Sequence, residues 1–212
     1  MLSLNLFGSQ IMQIVHGPRP EGRIRPDQLA FYEATGDWCV QRKFNGYKCT
    51  FSVCDGKVNF YNKGKPFKRW KPPASLLKQF SALNLKPGTH WFDSELLEPR
   101  VKNTIVIYDV LQFSRYLIGT TQIHRLNLLD EICGKPRERC DLGIAILVTE
   151  NIWLAEWWEE DFEQHYEEML DMDLIEGLVL RQKEAKLNNH GRVAYETQSQ
   201  IRCRKNSANY RF

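Results

Sequence analysis

Residues 38–48, WCVQRKFNGYK, are the stretch of sequence that says most about the fold. The alternating run WCVQRK predicts a strand, Asn45-Gly46 predicts a tight turn, and YKCTFSVC at 47–54 predicts the strand that returns beside it. Lys43 therefore lies at a strand end, where its amine can face a pocket. A lysine becomes a nucleophile when nearby cations or burial favour its neutral form. The pattern is weak alone, because most lysines in such turns are exposed and inert.

Strands dominate the chain on both sides of this hairpin. A second hairpin is predicted at Asp55-Gly56, before the run KVNFYN. Further strands are predicted at 90–97, 104–111, 143–149, 174–182 and 193–204. Helices are predicted at 27–34, 74–83, 122–133 and 154–170, the last with one acidic side. We expect one α+β domain at 37–212, built on antiparallel sheets with flanking helices, and a mainly irregular N-terminal segment at 1–36 that packs on the core.

The composition is that of a folded domain outside the membrane. The 212 residues are 42% hydrophobic and 12% aromatic, which excludes a disordered or collagen-like chain. No apolar run approaches the roughly 20 residues that a bilayer requires, and the N-terminus lacks the features of a secretory signal. The six cysteines form no CxxC pair and are expected to be reduced thiols. We therefore expect a cytoplasmic, intracellular protein with no membrane contact.

The small net charge of +3 conceals a segregation of charge along the chain. Residues 41–73 hold nine basic side chains and one acidic, residues 181–212 hold eight and two, and residues 156–176 hold ten acidic side chains with no lysine or arginine. Two basic segments favour a surface that faces a polyanion, although charge runs are often ordinary solvated faces. The acidic run is interpreted as the solvent-exposed face of the predicted helix at 154–170.

Four further patterns follow in chain order. They are Asp93-Ser94-Glu95 in an apolar strand, Tyr108-Asp109 in the next, Glu176–Arg181 with an acid and a cation at the two ends of a strand, and Arg202-Cys203-Arg204 with two cations on one strand face, before Lys205. The sequence contains neither of the common phosphate-binding loops, GxxxxGK[ST] and GxGxxG, and no HExxH, GxSxG or Cys/His metal pattern.

Together with Lys43–Gly46, this ordered set resembles the covalent nucleotidyltransferase superfamily, which contains ATP-dependent DNA ligases, RNA ligases and mRNA capping enzymes. Lys43–Gly46 is similar to motif I in its KxNG form. The later patterns are similar to motif III at Asp93–Glu95, motif IIIa at Tyr108-Asp109, motif IV at Glu176–Arg181 and motif V at Arg202–Arg204. Each motif is weak by itself, but five in order over about residues 36–205 are specific. The resemblance implies a ligase-type nucleotidyltransferase (adenylation) domain.

The resemblance also implies roles. Lys43 would attack the α-phosphate of ATP to form lysyl-AMP, pass the adenylate to a 5′-phosphate, and allow a 3′-hydroxyl to displace AMP. Gln41 would lie at the purine edge and Tyr108 on the purine face. The implied nucleotide-binding residues are Gln41, Arg42, Lys48, Glu95, Tyr108, Arg181, Arg202, Arg204 and Lys205, and the implied ligands of Mg²⁺ or Mn²⁺ are Glu176 and Glu95.

Structural interpretations stand beside these roles. Tyr108 also fits a core aromatic residue, Lys48 a solvated lysine, and Glu95 and Glu176 surface ion-pair partners. Arg125, on the helix after motif IIIa, fits a structural ion pair as well as a site residue.

The sequence departs from the family pattern in three places. Arg202 and Arg204 stand where lysines are usual, and arginine differs from lysine in geometry and reach. Asn62 stands where motif Ia has an arginine. The chain ends soon after Lys205, so we expect no OB-fold domain and a protein partner that supplies its function.

The preferred hypothesis is an ATP-dependent polynucleotide ligase, DNA-ligase-like and monomeric, that seals 5′-phosphate/3′-hydroxyl breaks in nicked or broken nucleic acid, with DNA favoured over RNA. The alternatives are an RNA ligase, a GTP-using capping-type guanylyltransferase, and a nucleic-acid-binding protein that has lost catalysis.

Overall fold

The computed structural model describes residues 15–68, 70–134, 138–188 and 195–206. Thirteen strands lie in this part of the chain: β1 (Arg19–Ile24), β2 (Trp38–Phe44), β3 (Tyr47–Cys54), β4 (Lys57–Asn62), β5 (Lys65–Pro66), β6 (Thr89–Leu96), β7 (Ile105–Phe113), β8 (Arg115–Tyr116), β9 (Ile146–Leu147), β10 (Ile152–Leu154), β11 (Trp157–Trp158), β12 (Ile175–Gln182) and β13 (Glu196–Arg204). The α-helices in the same ranges are α1 (Leu29–Ala34), α2 (Ala74–Gln79), α3 (Gln122–Cys133) and α4 (Phe162–Glu168). Short 3₁₀ helices precede α1 at Pro26–Gln28 and follow α2 at Phe80–Ala82.

The strands form two sheets. The two strands of the predicted hairpin belong to different sheets, β2 to the smaller and β3 to the larger. The larger sheet has the order β5-β4-β3-β6-β7-β10-β9, with β8 on β7. The smaller sheet has the order β1-β13-β12-β2-β11. Neighbouring strands are antiparallel except β1 on β13 and β10 on β7, which are parallel. The chain leaves the smaller sheet at Phe44 and enters the larger one at Tyr47, so the turn at Asn45-Gly46 joins the sheets.

The two sheets carry separate apolar clusters. Phe51, Phe80 and Phe92 belong to the cluster of the larger sheet, which packs against α2 and α3. Val40 and Phe44 from β2 belong to the cluster of the smaller sheet, which packs against α1 and α4. Because side chains alternate along a strand, Lys43 and Gln41 of β2 face away from that second cluster.

Two motif glycines are required by close backbone approach. A Cβ on Gly46 would lie 2.4 Å from the Leu96 carbonyl oxygen, and a Cβ on Gly177 would lie 2.1 Å from the Cys203 carbonyl oxygen. Real Cβ atoms do not approach backbone oxygens so closely, so a larger residue at either position would displace a strand. Gly177 follows a register shift in β12, which places Glu176 at the irregular end of that strand.

The prediction of an α+β fold on antiparallel sheets is confirmed, and three local predictions are wrong. The predicted helix at 154–170 contains β11 and the end of β10 before α4 begins at Phe162. Its apolar residues recur at a spacing that also suits short strands with a turn between them. The predicted strand at 143–149 is reduced to β9. The segment predicted to be irregular contains β1, whose Pro and Gly residues are tolerated because it is an edge strand.

Two other expectations concern the thiols and the membrane. All six cysteines are free, and burial raises the pKa of the Cys39, Cys49 and Cys203 thiols to about 12. These three thiols are therefore protonated and unreactive at neutral pH.

Among the described residues, no helix has the length and apolar character needed to cross a membrane. The residues predicted as a strand at 193–194, and residues 1–14 of the N-terminal segment, lie outside the described residues.

Candidate active site

A cavity of about 320 Å³ lies between the two sheets and is lined by residues of both. Its walls include nine of the eleven predicted site residues: Gln41, Arg42, Lys43, Lys48, Glu95, Tyr108, Arg181, Arg202 and Arg204. These residues come from β2, β3, β6, β7, β12 and β13. Residues that are up to 163 positions apart in the sequence, from Gln41 to Arg204, therefore converge on one site of a size typical for small ligands.

The Lys43 amine is held by the acid of motif IV. Lys43 Nζ donates to Glu176 Oε2 at 2.6 Å, and Arg204 Nη2 lies 3.5 Å from the same oxygen. The two side chains of the Lys43–Glu176 pair are 23% and 12% exposed, so the pair is reached by solvent from the cavity but is largely enclosed. Both cations contact the same carboxylate oxygen, Oε2. The arrangement can hold a phosphate next to the amine.

Glu95 adds a second carboxyl group to this end of the cavity. Burial raises its pKa to about 7, and Lys43 and Lys48 oppose the rise because both cations favour the carboxylate. Among the described residues, no group of three or more His, Cys, Asp or Glu side chains is placed to hold a metal. Two carboxylates nevertheless fit Mg²⁺, which is usually held by one or two carboxylates, water and the phosphates of a substrate. Glu95 and Glu176 are the residues that would hold it.

Lys48 is fixed by the larger sheet and is not a solvated lysine. Its ammonium contacts Asp93 Oδ2 and the Tyr108 hydroxyl. Asp93 is buried and also accepts a hydrogen bond from the Thr50 hydroxyl at 3.2 Å. Burial raises the pKa of Tyr108 well above its usual range, so its hydroxyl stays protonated. This network holds the cation of Lys48 at the cavity wall.

The cavity wall also presents groups suited to a purine. Gln41 is 1% exposed and its Nε2 donates to the Tyr108 carbonyl at 3.3 Å, while its Oε1 is buried with no hydrogen-bond partner. Arg181 Cζ lies 5.5 Å from the centre of the Tyr108 ring, and Arg181 Nε is also buried with no partner. Buried polar atoms without partners are rare in folded proteins and are often completed by a ligand.

Comparison with known proteins gives the fold. No family model matches the chain. A solved structure of mycobacterial DNA ligase D complexed with ATP and MES is similar with a TM-score of 0.56 at 14% identity, over 91% of this chain and 58% of that one. A structure of the Lig E DNA ligases has a TM-score of 0.54 at 15% identity, over 91% and 70%, and Pmar-Lig_PreS3 has 0.56 at 14%, over 83% and 44%. The chain has a ligase-type nucleotidyltransferase fold.

The present chain spans between 44% and 70% of the length of those solved chains. At 14–15% identity the similarity is one of fold. The ligase-type fold confirms the family resemblance of the five motifs at the level of architecture, because the motifs occupy strands of the two sheets and the hairpin between them.

In this ligase-type fold Arg125 has a structural position. It is 1% exposed, and its Nε and Nη2 donate to the two carboxylate oxygens of Asp109 at 3.0 and 3.1 Å. The pair links α3 to β7, and Gln122 Oε1 accepts from Arg125 at 2.8 Å and from Arg181 at 3.5 Å. Arg125 therefore does not line the cavity but supports Arg181, which does.

Glu176 and Lys205 are not among the residues that line the cavity, and Arg42 lines it without turning its charged group toward it. Glu176 is next to the cavity through its contact with Lys43. The Arg42 guanidinium leaves the opposite face of β2, where Nη1 donates to the Gly143 carbonyl at 2.8 Å and the group lies 3.8 and 3.7 Å from Glu156 and Glu168. Lys205 does not line the cavity, and its Nζ donates to the carbonyls of Leu170 and Met172 at 3.1 and 2.9 Å. Strand alternation explains Arg42, since it is adjacent to Lys43.

The acidic segment is also more than a solvated face. Glu156 pairs with Arg42 and Arg139, Glu159 Oε2 lies 2.6 Å from Lys183 Nζ, and Glu176 holds Lys43. Opposite charges that are far apart in the sequence therefore meet in the fold.

Sequence reasoning missed two cations in the cavity wall. Arg19 comes from β1, and Lys63 comes from the turn between β4 and β5. The missed signal for Lys63 is its position before Gly64 in a two-residue hairpin turn, where Asn or Asp is the usual residue.

Proposed function

We propose that this protein is an ATP-dependent polynucleotide ligase that acts through a covalent adenylate on Lys43. The observation that carries the proposal is the convergence of Lys43, Glu176 and Arg204 at one end of a cavity that also presents Gln41 and Tyr108. A lysine at 2.6 Å from a carboxylate, beside further cations, is suited to attack a bound phosphate.

The first step forms a nitrogen–phosphorus bond. The Lys43 ammonium gives one proton to the Glu176 carboxylate, the amine attacks the α-phosphorus of ATP, and the bond to pyrophosphate breaks. The second amine proton passes to solvent, and lysyl-AMP remains. Arg202 and Arg204, on the cavity face of β13, neutralise the charge that develops on the phosphate oxygens.

The next two steps transfer and release the nucleotide. A 5′-phosphate oxygen attacks the phosphorus of lysyl-AMP, the nitrogen–phosphorus bond breaks, and Lys43 regains its protons. A 3′-hydroxyl then attacks the activated 5′-phosphate, loses its proton, and displaces AMP to form the phosphodiester. Mg²⁺ held by Glu95 and Glu176 would stabilise negative charge on the phosphate oxygens. The protein itself contributes position and fixed charge to all three displacements.

The environment of Gln41 favours adenine over guanine. Gln41 lines the cavity, and because its Nε2 already donates to the Tyr108 carbonyl, the atom left without a partner is an acceptor, Oε1. At position 6 adenine carries an amino group, which donates, and guanine carries a carbonyl, which accepts, so an acceptor that faces position 6 favours adenine. We therefore propose ATP and not GTP as the nucleotide. The solved structure with ATP belongs to a protein of the same fold.

The polynucleotide is proposed from charge and fold. Lys65 on β5, at the edge of the larger sheet, and Lys68 just after that strand are exposed side chains, which suits a phosphate backbone. The solved structures of similar fold are those of DNA ligases. We propose a nicked or broken DNA duplex as substrate, with an RNA ligase as the alternative function that the KxNG form of motif I favours.

The test is label transfer from α-labelled ATP in the presence of Mg²⁺. We expect covalent label on the wild-type protein, released by acid as AMP, and a mass increase of one AMP on Lys43. Lys43→Ala should carry no label. Lys57→Ala is the matched control because Lys57 is an exposed lysine on β4 that does not line the cavity.

Equal label on Lys43→Ala and wild type would refute the covalent mechanism. Label from GTP but not from ATP would point to the capping-type reaction. Salt-sensitive nucleic-acid binding with no label from either nucleotide would point to a protein that has lost catalysis. Nicked duplexes with DNA or RNA on each side of the nick then separate the DNA and RNA ligase functions.

A further inference from the structure

A second cavity lies at the other end of the larger sheet. Its volume is about 770 Å³, and among the described residues it shares no lining residue with the candidate active site. Strand β3 contributes Lys48 to the active-site cavity and Val53 to the second cavity. These two positions are about 17 Å apart, because a strand rises about 3.4 Å per residue. The proposed reaction therefore assigns no role to the second cavity.

The walls of the second cavity are mainly aliphatic. They are formed by the turn at Asp55-Gly56, by α2 with the short helix that follows it, and by residues 83–88. The apolar lining residues are Val53, Leu77, Phe80, Leu83, Leu85 and Pro87. Phe80 and Leu83 belong to the apolar cluster of the larger sheet, whereas Leu77 is 37% exposed. The cavity therefore opens the edge of that cluster to solvent, and its volume suits a large side chain.

One buried polar atom in the wall lacks a partner. His90 lines the cavity and is 1% exposed, and its Nε2 lies 2.7 Å from the Lys86 carbonyl oxygen. Because a carbonyl only accepts, Nε2 carries the hydrogen and Nδ1 is left as an acceptor. Nδ1 is buried with no hydrogen-bond partner, and burial lowers the pKa of His90, which favours the neutral ring. A ligand that donates one hydrogen bond would complete this atom.

The charged residues in the wall favour an acidic ligand. Lys78 and Lys86 line the cavity, and neither forms an ion pair with an acid in the part of the chain that the structure describes. Lys86 Nζ lies 5.5 Å from the centre of the Phe113 ring. Asp55 is the one acid among the described lining residues. The excess of positive charge complements a ligand that carries carboxylates beside its apolar part.

We propose that the second cavity is a docking site for a segment of a partner protein that inserts a tryptophan side chain flanked by acidic residues. The indole has an apolar body for the aliphatic walls and a single N–H for His90 Nδ1, and it carries no acceptor that would need a donor. The flanking carboxylates would contact Lys78 and Lys86. Tryptophan is also the residue type that most often dominates the energy of protein interfaces.

The wall is less suited to an unpaired nucleotide. Binding of single-stranded nucleic acid relies on bases stacked on accessible aromatic rings. The two rings of the described lining, Phe80 and His90, are 3% and 1% exposed, so neither presents a face for stacking. The carboxylate of Asp55 would also repel a phosphate backbone.

The experiment measures binding of a fluorescent peptide, Glu-Glu-Trp-Glu-Glu with both ends blocked, by fluorescence anisotropy. A second peptide has 3-benzothienylalanine in place of tryptophan, which keeps the ring shape but replaces the N–H by sulfur. We expect the wild-type protein to bind the second peptide about tenfold more weakly, because a buried acceptor is then left unpaired. Equal affinities would overturn the proposal, as would no binding of the tryptophan peptide at about 1 mM.

Variants of the protein locate the binding. Lys78→Glu should weaken binding of the tryptophan peptide about fivefold through charge repulsion. Lys102→Glu is the matched control, because Lys102 is an exposed lysine outside the cavity lining. Both variants should keep the melting temperature of the wild type. Equal loss of affinity in both, or in neither, would contradict docking at this cavity.

His90→Leu removes the unpaired acceptor. If the variant folds, it should bind the two peptides with equal affinity, and a retained tenfold preference for tryptophan would overturn the proposal. If it does not fold, the comparison of the two peptides on the wild-type protein still decides.

A nucleic acid is the occupant that the same proteins can exclude. If single-stranded oligothymidylate binds with an affinity that Lys78→Glu lowers and Lys102→Glu does not, while the tryptophan peptide shows no such difference, the proposal is wrong. The result is independent of the proposed reaction, because peptide binding requires neither ATP nor Lys43. A protein that binds the peptide but takes no label from ATP would refute the ligase and retain the docking site.

Discussion

Arg42 and Lys43 are adjacent cations on β2 that lie in opposite environments. The Arg42 guanidinium is buried in the helix-covered side of the smaller sheet, between Glu156, Glu168 and the Trp158 ring, whose centre is 5.2 Å from Cζ. Lys43 points into the cavity and shares Glu176 with Arg204. Burial lowers the pKa of Arg42, and the two glutamates oppose that effect. One cation stabilises the strand and the other is available to a ligand.

The difference shows why a motif must be assigned by strand face and not by proximity in sequence. A cation on the covered face has to be paired, because an unpaired buried charge is strongly destabilising. A cation on the cavity face can exchange its acidic partner for a bound ligand. The same distinction separates Arg125, which is bound to Asp109 on both carboxylate oxygens, from Arg181, whose Nε remains without a partner.

The largest expected effect contrasts the two neighbours directly. Arg42→Met keeps the length of the side chain but removes the cation from Glu168, leaves Glu156 with Arg139 alone, and removes the hydrogen bond to the Gly143 carbonyl. We expect a loss of about 3 kcal/mol in the free energy of unfolding. Lys43→Met should cost under about 1 kcal/mol, because Lys43 is partly exposed and Glu176 keeps Arg204. Urea denaturation of both variants measures the contrast.

Labelling by ATP should show the reverse order. Folded Arg42→Met should take up label at nearly the wild-type rate, whereas Lys43→Met should take up none. An Arg42→Met protein as stable as the wild type would mean that apolar neighbours such as Val40 and Phe44 hold β2 without the ion pairs.

The second prediction concerns two Lys–Glu pairs of equal length. Glu176 Oε2 lies 2.6 Å from Lys43 Nζ in the cavity, and Glu159 Oε2 lies 2.6 Å from Lys183 Nζ at the surface. Glu176→Gln should slow label transfer about 100-fold, because it removes the proton acceptor and a metal ligand. Glu159→Gln should leave the rate unchanged within about twofold. Single-turnover labelling checks both, and similar rates for both variants would remove Glu176 from the chemistry.

The sequence predicted the regular parts of the fold well because periodicity and turn residues are local signals. The strand at 47–54 and the helix at 122–133 have the predicted bounds in the structure. The segment at 154–170 failed because tertiary pairing of β11 with β2 outweighs a helical spacing of apolar residues. β1 was missed because its partner, β13, lies at the other end of the chain.

The candidate site was also predicted where local signals sufficed and missed where tertiary structure decides. Residues that alternate on strands, such as Lys43, Tyr108 and Arg202, were placed by motif order, and the structure brings them to one cavity. Arg42 was misplaced because its position in the motif says nothing of strand face unless alternation is applied. Arg19 and Lys63 were beyond prediction from motifs, since they belong to different sheets and reach one cavity only in the folded chain.

The third prediction uses Glu95, the cavity acid whose pKa burial raises to about 7. In the unfolded chain this carboxyl has its usual pKa of 4.5, while in the folded protein its pKa is about 7. The folded state is therefore favoured by this group below about pH 4.5 and loses that advantage as the pH rises through about 7. Relative to Glu95→Gln, the wild type should lose roughly 1–3 kcal/mol between pH 5 and pH 8.

Denaturation of both proteins across this pH range measures the difference. Asp173→Asn is a control, because Asp173 is an exposed acid. Parallel stability curves for the wild type and Glu95→Gln would show that Glu95 is ionised throughout and meets solvent as a surface acid does.

The smallest expected effect extends the comparison of covered and cavity-facing cations to the turn at Lys63. Lys63 has a positive φ of 49° in the turn between β4 and β5. If Lys63 is kept for a ligand and not for stability, Lys63→Asn should raise the free energy of unfolding by about 0.5–1 kcal/mol, because Asn adopts the left-handed conformation more readily. Lys57→Asn, at an ordinary strand position, should be neutral or destabilising. A stability loss in Lys63→Asn, measured by thermal denaturation, would mean that Lys63 supports the fold as Arg42 does. A gain in the free energy of unfolding would mean that Lys63, like Lys43, serves the cavity and does not stabilise the fold.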